Sequence, residues 1–214
     1  MKWLFTRTFV LSVICAAGFA SIAILIAKQA ISGFDNKIIS IVQSQQSDAL
    51  TQIMLFFSYI GSGIPLSIII IAIGIVLYAV LKFHWELLFF IGVIIGSSLL
   101  NVILKLIFHR ERPTLHRIVE NVSGYSFPSG HSMAAFTLYG VLCFLLWKHA
   151  ESTFSRILLV SCTSVMILAI GISRIYLGVH YPSDVVGAYL GSGTWLAVSI
   201  GFYQHFIAKR VSKG

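Results

Sequence analysis

Residues 86–113 read ELLFFIGVIIGSSLLNVILKLIFHRERP, and the change of character inside this stretch decides the fold. From Glu86 to Phe108 the only charged residues are Glu86 and Lys105. A helix of that length, rising about 1.5 Å per residue, crosses the ~30 Å hydrocarbon core of a bilayer. His109, Arg110, Glu111, Arg112 and Pro113 then arrive together. Such a run reads as a membrane span that ends in a cationic, chemically equipped loop.

The rest of the chain repeats the pattern. It has 214 residues, 57% hydrophobic and only 10% charged, with a mean hydropathy of +0.92. Soluble domains carry about 25% charged residues. The expected class is therefore all-α and polytopic. Six spans are predicted: Thr8–Ala27, Ile64–Leu81, Glu86–Phe108, Ser132–Trp147, Ile157–Ser173 and Val185–Ile207. The first follows Lys2 and Arg7 and exceeds the about 7–15 apolar residues of a signal peptide, so an uncleaved span is expected. Between spans one and two, Ile38, Ile41 and Val42, then Leu50, Ile53, Met54 and Phe57, recur at helical spacing among Gln, Ser and Asp. They predict two short amphipathic helices on the membrane surface. No repeat or long linker divides the chain, so residues 1–214 are expected to form one integral membrane domain.

The formal net charge is +8, from 15 Lys and Arg against 7 Asp and Glu. A nucleic-acid partner would need a solvated basic surface, which so apolar a chain scarcely has. The charge reads instead as cytoplasmic anchors plus a cationic site for an anionic ligand. With cytoplasmic termini, the inside positions hold Lys2, Arg7, Lys82, Lys148, Arg156, Lys209, Arg210 and Lys213. The outside positions hold Lys28, Lys37, Lys105, Arg110, Arg112, Arg117 and Arg174. That near-balance departs from the usual inside excess. Five of the outside seven lie in segments that also carry unusual histidines, so either the orientation is inverted or these cations bind something. The short inside loops and the basic tail favour binding, with the site on the extracytoplasmic side. Cys15, Cys143 and Cys162 lie in apolar runs, are odd in number and lack metal-ligand spacing, so they read as small core residues.

Three polar islands interrupt the apolar pattern. In KLIFHRERP, Lys105 and Arg112 stand seven residues apart, nearly two helical turns. On a helix continued to Pro113 they would share one face about 10 Å apart. Alone, Lys105 reads as a residue snorkelling at a span end; beside Arg112 it suggests a ligand site. In SFPSGHSMAAF, residues 126–136, Pro128 stops a preceding helix, Ser129 suits an N-cap and Gly130 admits a close ligand. The N–H groups of Gly130, His131 and Ser132 would then point out of a first helical turn, where phosphate binds. An ordinary capped helix with a surface histidine accounts equally well for this island alone. In SRIYLGVHYPSD, Pro182 suits the first position of span six and puts Asp184 in its first turn, within reach of His180. Asp184 either offsets the helix dipole or fixes the His180 tautomer, leaving the other ring nitrogen free to attack.

Six spans place the loops after spans three and five on one side, so the islands converge. Cations and backbone N–H groups neutralise a transferring phosphoryl group. One histidine can then be the nucleophile and the other, His131, can protonate the leaving oxygen.

These residues carry a resemblance. Lys105-x6-Arg112-Pro113, Pro128-Ser129-Gly130-His131 and Ser173-Arg174-x5-His180-x3-Asp184 resemble the three signature motifs of the type-2 phosphatidic acid phosphatase superfamily. All three are complete and in order. The size and layout are similar to its bacterial membrane branch, which includes phosphatidylglycerophosphatases and undecaprenyl pyrophosphate phosphatases. The resemblance implies a lipid phosphatase acting on a lipid phosphate or pyrophosphate among membrane lipids. It implies catalytic His180, His131 and Asp184, with Lys105, Arg112, Ser129, Gly130 and Arg174 holding phosphate. His180 would form a phosphohistidine, and no metal or other cofactor is implied. Vanadate haloperoxidases share these motifs but are soluble, which the hydropathy opposes. A non-catalytic phospholipid-binding or transport protein with a vestigial site is the alternative, and the intact histidines oppose it. His109, His116, Arg110, Arg117 and Glu111 read as loop residues near the head group. His84, His149 and His205 read as interface residues on the far side. Oligomeric state has no signal in the sequence.

Overall fold

The computed structural model describes residues 2–114, 117–119 and 122–211, with side chains described for 6–206 of these. His116 and Lys213 lie outside the described residues. Among the described residues, eight helices run in order: α1 (Lys2–Ala27), α2 (Ser32–Gln43), α3 (Asp48–Ile60), α4 (Gly63–Ile75), α5 (His84–Phe108), α6 (Gly130–Trp147), α7 (Thr153–Tyr176) and α8 (Pro182–Val211). A π-helical turn, Val76–Val80, extends α4. Six of these helices are long and apolar enough to cross a membrane, and they match the six predicted spans to within a few residues. The protein is a multi-pass membrane protein.

Helices α6 and α8 form the centre. Leu138, Val141 and Leu145 of α6 pack with Phe90 and Val93 of α5, Leu66 and Leu77 from α4 and its extension, and Leu196 of α8. Outward positions stay apolar as well: Ile64, Ile68, Ile71 and Ile75 of α4 are all exposed, as expected where lipid rather than water is the solvent. Helix α8 lies along α1 and holds a close approach at Gly187, where an added Cβ would sit 2.3 Å from Phe127 Cε2. The Phe127 ring fits against α8 because Gly187 has no side chain, and it stacks on Phe19 at 5.5 Å.

The two short helices exist where the periodicity predicts them, but they do more than lie on lipid. Val42 of α2 and Leu50, Met54 and Leu55 of α3 pack on Tyr176, Leu177 and Val179 at the end of α7. The buried Tyr176 hydroxyl contacts Thr51 Oγ1 at 2.9 Å and accepts from the Ser47 N–H at 3.2 Å. Part of each apolar stripe is therefore spent on protein. Phe34, Ile41, Ile53 and Phe56 remain exposed on the other face.

Candidate active site

The ends of α5 and α7 and the starts of α6 and α8 meet at one end of the bundle, and local chain chemistry aims each functional group there. Helix α7 stops through Gly178, whose φ of +73° suits a residue without a side chain. Gly178 N–H donates to Ile175 O at 3.0 Å and Val179 N–H to Arg174 O at 3.2 Å, a paired cap that turns the chain sharply. His180 follows two residues later and is 2% exposed. Pro182 then starts α8, so Asp184 falls in its first turn as predicted.

Asp184 Oδ2 lies 3.3 Å from His180 Nδ1 and accepts from Ser126 Oγ at 2.5 Å and Tyr181 N–H at 2.9 Å. The other ring nitrogen, Nε2, faces Arg112 Nη1 at 3.0 Å. A guanidinium only donates, so Nε2 is the acceptor and the proton sits on Nδ1. Burial, only partly offset by Asp184, pulls the His180 pKa down to about 4, so the ring is neutral at pH 7.

Arg112 also donates to Gly124 O, Ser123 O and Val179 O at 2.9–3.2 Å, which fixes its fork by the loop that follows α5. The geometry corrects one expectation. Helix α5 ends at Phe108, and His109 adopts a left-handed φ of +46°, so Lys105 and Arg112 do not share a helical face. The proline restricts only the residue before it, whereas the turn at His109 ends the helix three residues earlier. The loop still returns Arg112 to the site, and Lys105 Nζ donates to Tyr125 O at 2.5 Å.

Arg174 is 5% exposed and bonds Ser58 of α3 through Nη1, while its buried Nε has no acceptor. His131 lies near enough to Arg174, His180, Arg112 and Lys105 for their charges to act on it. On its other side, a Cβ placed on Gly61 would stand 3.4 Å from His131 Cδ2. Ser129 caps α6, its oxygen accepting from Ser132 N–H at 3.5 Å and from the Ser132 hydroxyl at 3.0 Å. Asn101 of α5 steadies this turn by donating to Pro128 O at 3.2 Å, and a Cβ on Gly130 would come 3.2 Å from Asn101 Oδ1. The bland capped helix is thus present, and its first turn faces the cations as well. All eight residues singled out in the sequence come together.

Several participants escaped the sequence reading. Arg110, read as a loop residue, is largely enclosed: Nη1 donates to Asp184 Oδ1 at 2.6 Å and to Ser183 Oγ at 2.8 Å, and Nη2 to Asp35 Oδ2 at 2.8 Å. Its guanidinium stacks 4.1 Å from the Tyr181 ring centroid. Asp35 of α2 is 1% exposed. A charged residue on an otherwise amphipathic surface helix was the only signal for it. At the opposite helix ends, His149 stacks on Phe83 and His84 lies by Tyr78.

Lys105, Arg112 and Arg174, gathered around His131 and the buried His180, repel one another, and Asp184, which touches His180, already accepts from Arg110, Ser126 and the Tyr181 N–H. Such a cluster is suited to an anion with several oxygens.

A family model described as PAP2 superfamily matches residues 86–207. Phosphatidylglycerophosphatase B of Bacillus subtilis (strain 168) is 31% identical over 193 residues, 89% of each chain. Undecaprenyl-diphosphatase BcrC of the same organism is 27% identical over 112 residues, 50% of each chain. Among solved structures, the transmembrane PAP2 type phosphatidylglycerolphosphate phosphatase from Bacillus subtilis superposes with a TM-score of 0.83 at 29% identity, covering 91% of this chain and 96% of that one. Aquifex aeolicus LpxE superposes with a TM-score of 0.58 at 27% identity, covering 78% and 94%.

Proposed function

The chain belongs to the PAP2 superfamily, and from that membership we propose that it hydrolyses the terminal phosphate of a lipid phosphate or pyrophosphate through a phosphohistidine on His180. The carrying observation is the His180 ring, held on Asp184 through Nδ1 while Nε2 faces the cationic cluster.

In this reading Nε2 attacks phosphorus as the bond to the lipid oxygen breaks, and His131 gives that oxygen a proton. Positive charge on the imidazole is offset by Asp184. His131, now unprotonated, takes a proton from water, which attacks the phosphohistidine and releases phosphate. Lys105, Arg112, Arg174, the Ser129 hydroxyl and the first N–H groups of α6 hold the equatorial oxygens. A phosphate oxygen would also give Arg174 Nε the acceptor it lacks. These cations supply the charge neutralisation for which other phosphatases recruit metals, so the reaction is proposed to run without one.

The pocket is proposed to open on the extracytoplasmic side, with both termini cytoplasmic. The outside cations that flattened the charge asymmetry are mostly those of the site: Lys105, Arg110, Arg112 and Arg174 each bond to a buried or loop group there. Phosphatidylglycerol phosphate, phosphatidate and undecaprenyl pyrophosphate all present a terminal phosphate on an apolar anchor. An outward-facing pocket favours the pyrophosphate.

The test uses purified full-length protein in matched detergent against all three lipids. Phosphate release is expected from at least one, and His180→Ala is expected to abolish it. Acid-labile labelling of the wild type, absent from His180→Ala, would mark the intermediate. Full turnover by His180→Ala, or no turnover of any lipid by the wild type, would overturn the proposal.

A further inference from the structure

Asp35 lies outside the segment matched by the family model, on a helix that contributes none of the three motifs. It is nonetheless buried at 1% exposure, one of only 7 acidic residues in the chain. Its Oδ1 accepts from Ser183 N–H at 2.9 Å, and its Oδ2 from Ser183 Oγ at 2.7 Å and Arg110 Nη2 at 2.8 Å. Arg110 is therefore clamped between two carboxylates, with Asp184 on Nη1 and Asp35 on Nη2.

The charges of this triad matter more than its bonds. Arg110 and Asp184 alone would form a neutral pair, and the guanidinium would cancel most of the field that Asp184 exerts on His180. A second carboxylate on the far edge of Arg110 leaves the group with one net negative charge. Burying an additional ion is a poor way to gain stability, because its desolvation is costly and a neutral acceptor avoids it. A charge kept there serves the group at the other end of the chain of contacts, the His180 imidazole.

We propose that Asp35 is a positioning residue for phosphoryl transfer, acting through Arg110 to hold Asp184 turned toward His180 and to leave the triad with a net negative charge. The inference rests on His180 being the nucleophile. When the Nε2–P bond forms and the P–O bond to the lipid breaks, the ring becomes cationic with its Nδ1 proton still directed at Asp184. The net negative charge of the triad stabilises that state and not the neutral starting ring, which is how an interaction raises kcat. The other charged or titratable groups around the dyad and Arg110 are Glu111, Arg112, Arg117 and Tyr181 from the loops, Lys105 from α5, His131 from α6 and Arg174 from α7. Of these only Glu111 is a carboxylate, lining a cavity beside Asp35, Arg110 and Tyr181; among the described residues the ion pairs on Arg110 come from Asp35 and Asp184 alone.

The test compares Asp35→Asn and Asp35→Glu with the wild-type full chain in detergent. The substrate is whichever of the three lipids named above the wild type turns over fastest. Asp35→Asn is expected to lower kcat about tenfold with KM within about twofold, since binding cations are untouched. The acid limb of kcat should move to lower pH, because His180 loses negative charge nearby. Asp35→Glu, which keeps the charge, should restore part of kcat and return the limb toward the wild-type position. Adding Asp35→Asn to Arg110→Gln should cost little more than Arg110→Gln alone. Where Asp35→Asn also lowers the melting temperature, the charge-keeping variant decides: recovery of kcat without recovery of stability supports the proposal. Wild-type kcat in Asp35→Asn, or equal losses in Asn and Glu variants with an unmoved pH profile, overturns it. Turnover by His180→Ala would instead remove the reading on which it rests.

Discussion

Arg112 Nη1 stands 3.0 Å from His180 Nε2, across the ring from the Asp184 contact. The ring is thereby held with one nitrogen protonated toward an acid and a lone pair directed at a cation. A phosphate oxygen drawn to Arg112 would bring phosphorus toward that lone pair. The same arginine fastens three loop carbonyls, so site and loop are built by one side chain.

Lysine at position 112 has no planar fork to serve three carbonyls and an imidazole together. Arg112→Lys is expected to recover little of the activity lost in Arg112→Ala, both falling about a hundredfold or more in kcat/KM. Steady-state kinetics on the two variants check this, and near wild-type activity in Arg112→Lys would contradict it.

The depressed His180 pKa makes a stability prediction. An unfolded histidine binds its proton near pH 6.5, whereas the buried ring resists it until about 4. Between those values the unfolded chain holds more protons, so stability is fully present above about 6.5 and drains away at up to about 1.4 kcal/mol per unit as pH falls toward 4. Melting curves at pH 7.5 and 4.5 should show a smaller drop for His180→Asn than for the wild type.

Ser126 Oγ donates to Asp184 Oδ2 at 2.5 Å and lies 3.3 Å from His180 Nδ1. Removing this hydroxyl leaves the carboxylate freer to turn from the ring. Ser126→Ala should lower kcat about tenfold and leave KM little changed, as measured in the same phosphate-release assay.

Metal-free chemistry predicts that prolonged treatment with a chelator leaves turnover intact. Vanadate, which adopts the geometry of phosphate under attack, should inhibit competitively with the lipid. Activity lost to a chelator and restored by a divalent cation would refute the metal-free mechanism.

Packing at Gly187 offers a test away from the chemistry. A methyl group there would meet the Phe127 ring, which is also wedged against Phe19 and Phe108. Gly187→Ala is expected to destabilise the protein by about 1–3 kcal/mol. A melting temperature equal to that of the wild type would show that the ring has room to move.

The spans and the three islands were legible because the information is local. Hydropathy over some 20 residues names a span, and a proline two places before Asp184 puts that acid in a first helical turn. Parity of the spans then placed the islands together without any coordinates. What the chain read residue by residue did not disclose is which partner each buried group takes. Asp35 meets Ser183 across 148 positions, and Arg174 meets Ser58 across 116. Those pairings depend on how α2 and α3 fold back over the α7–α8 corner. Only the packed bundle excludes enough water to make such charges seek one another, so only the tertiary structure decided them.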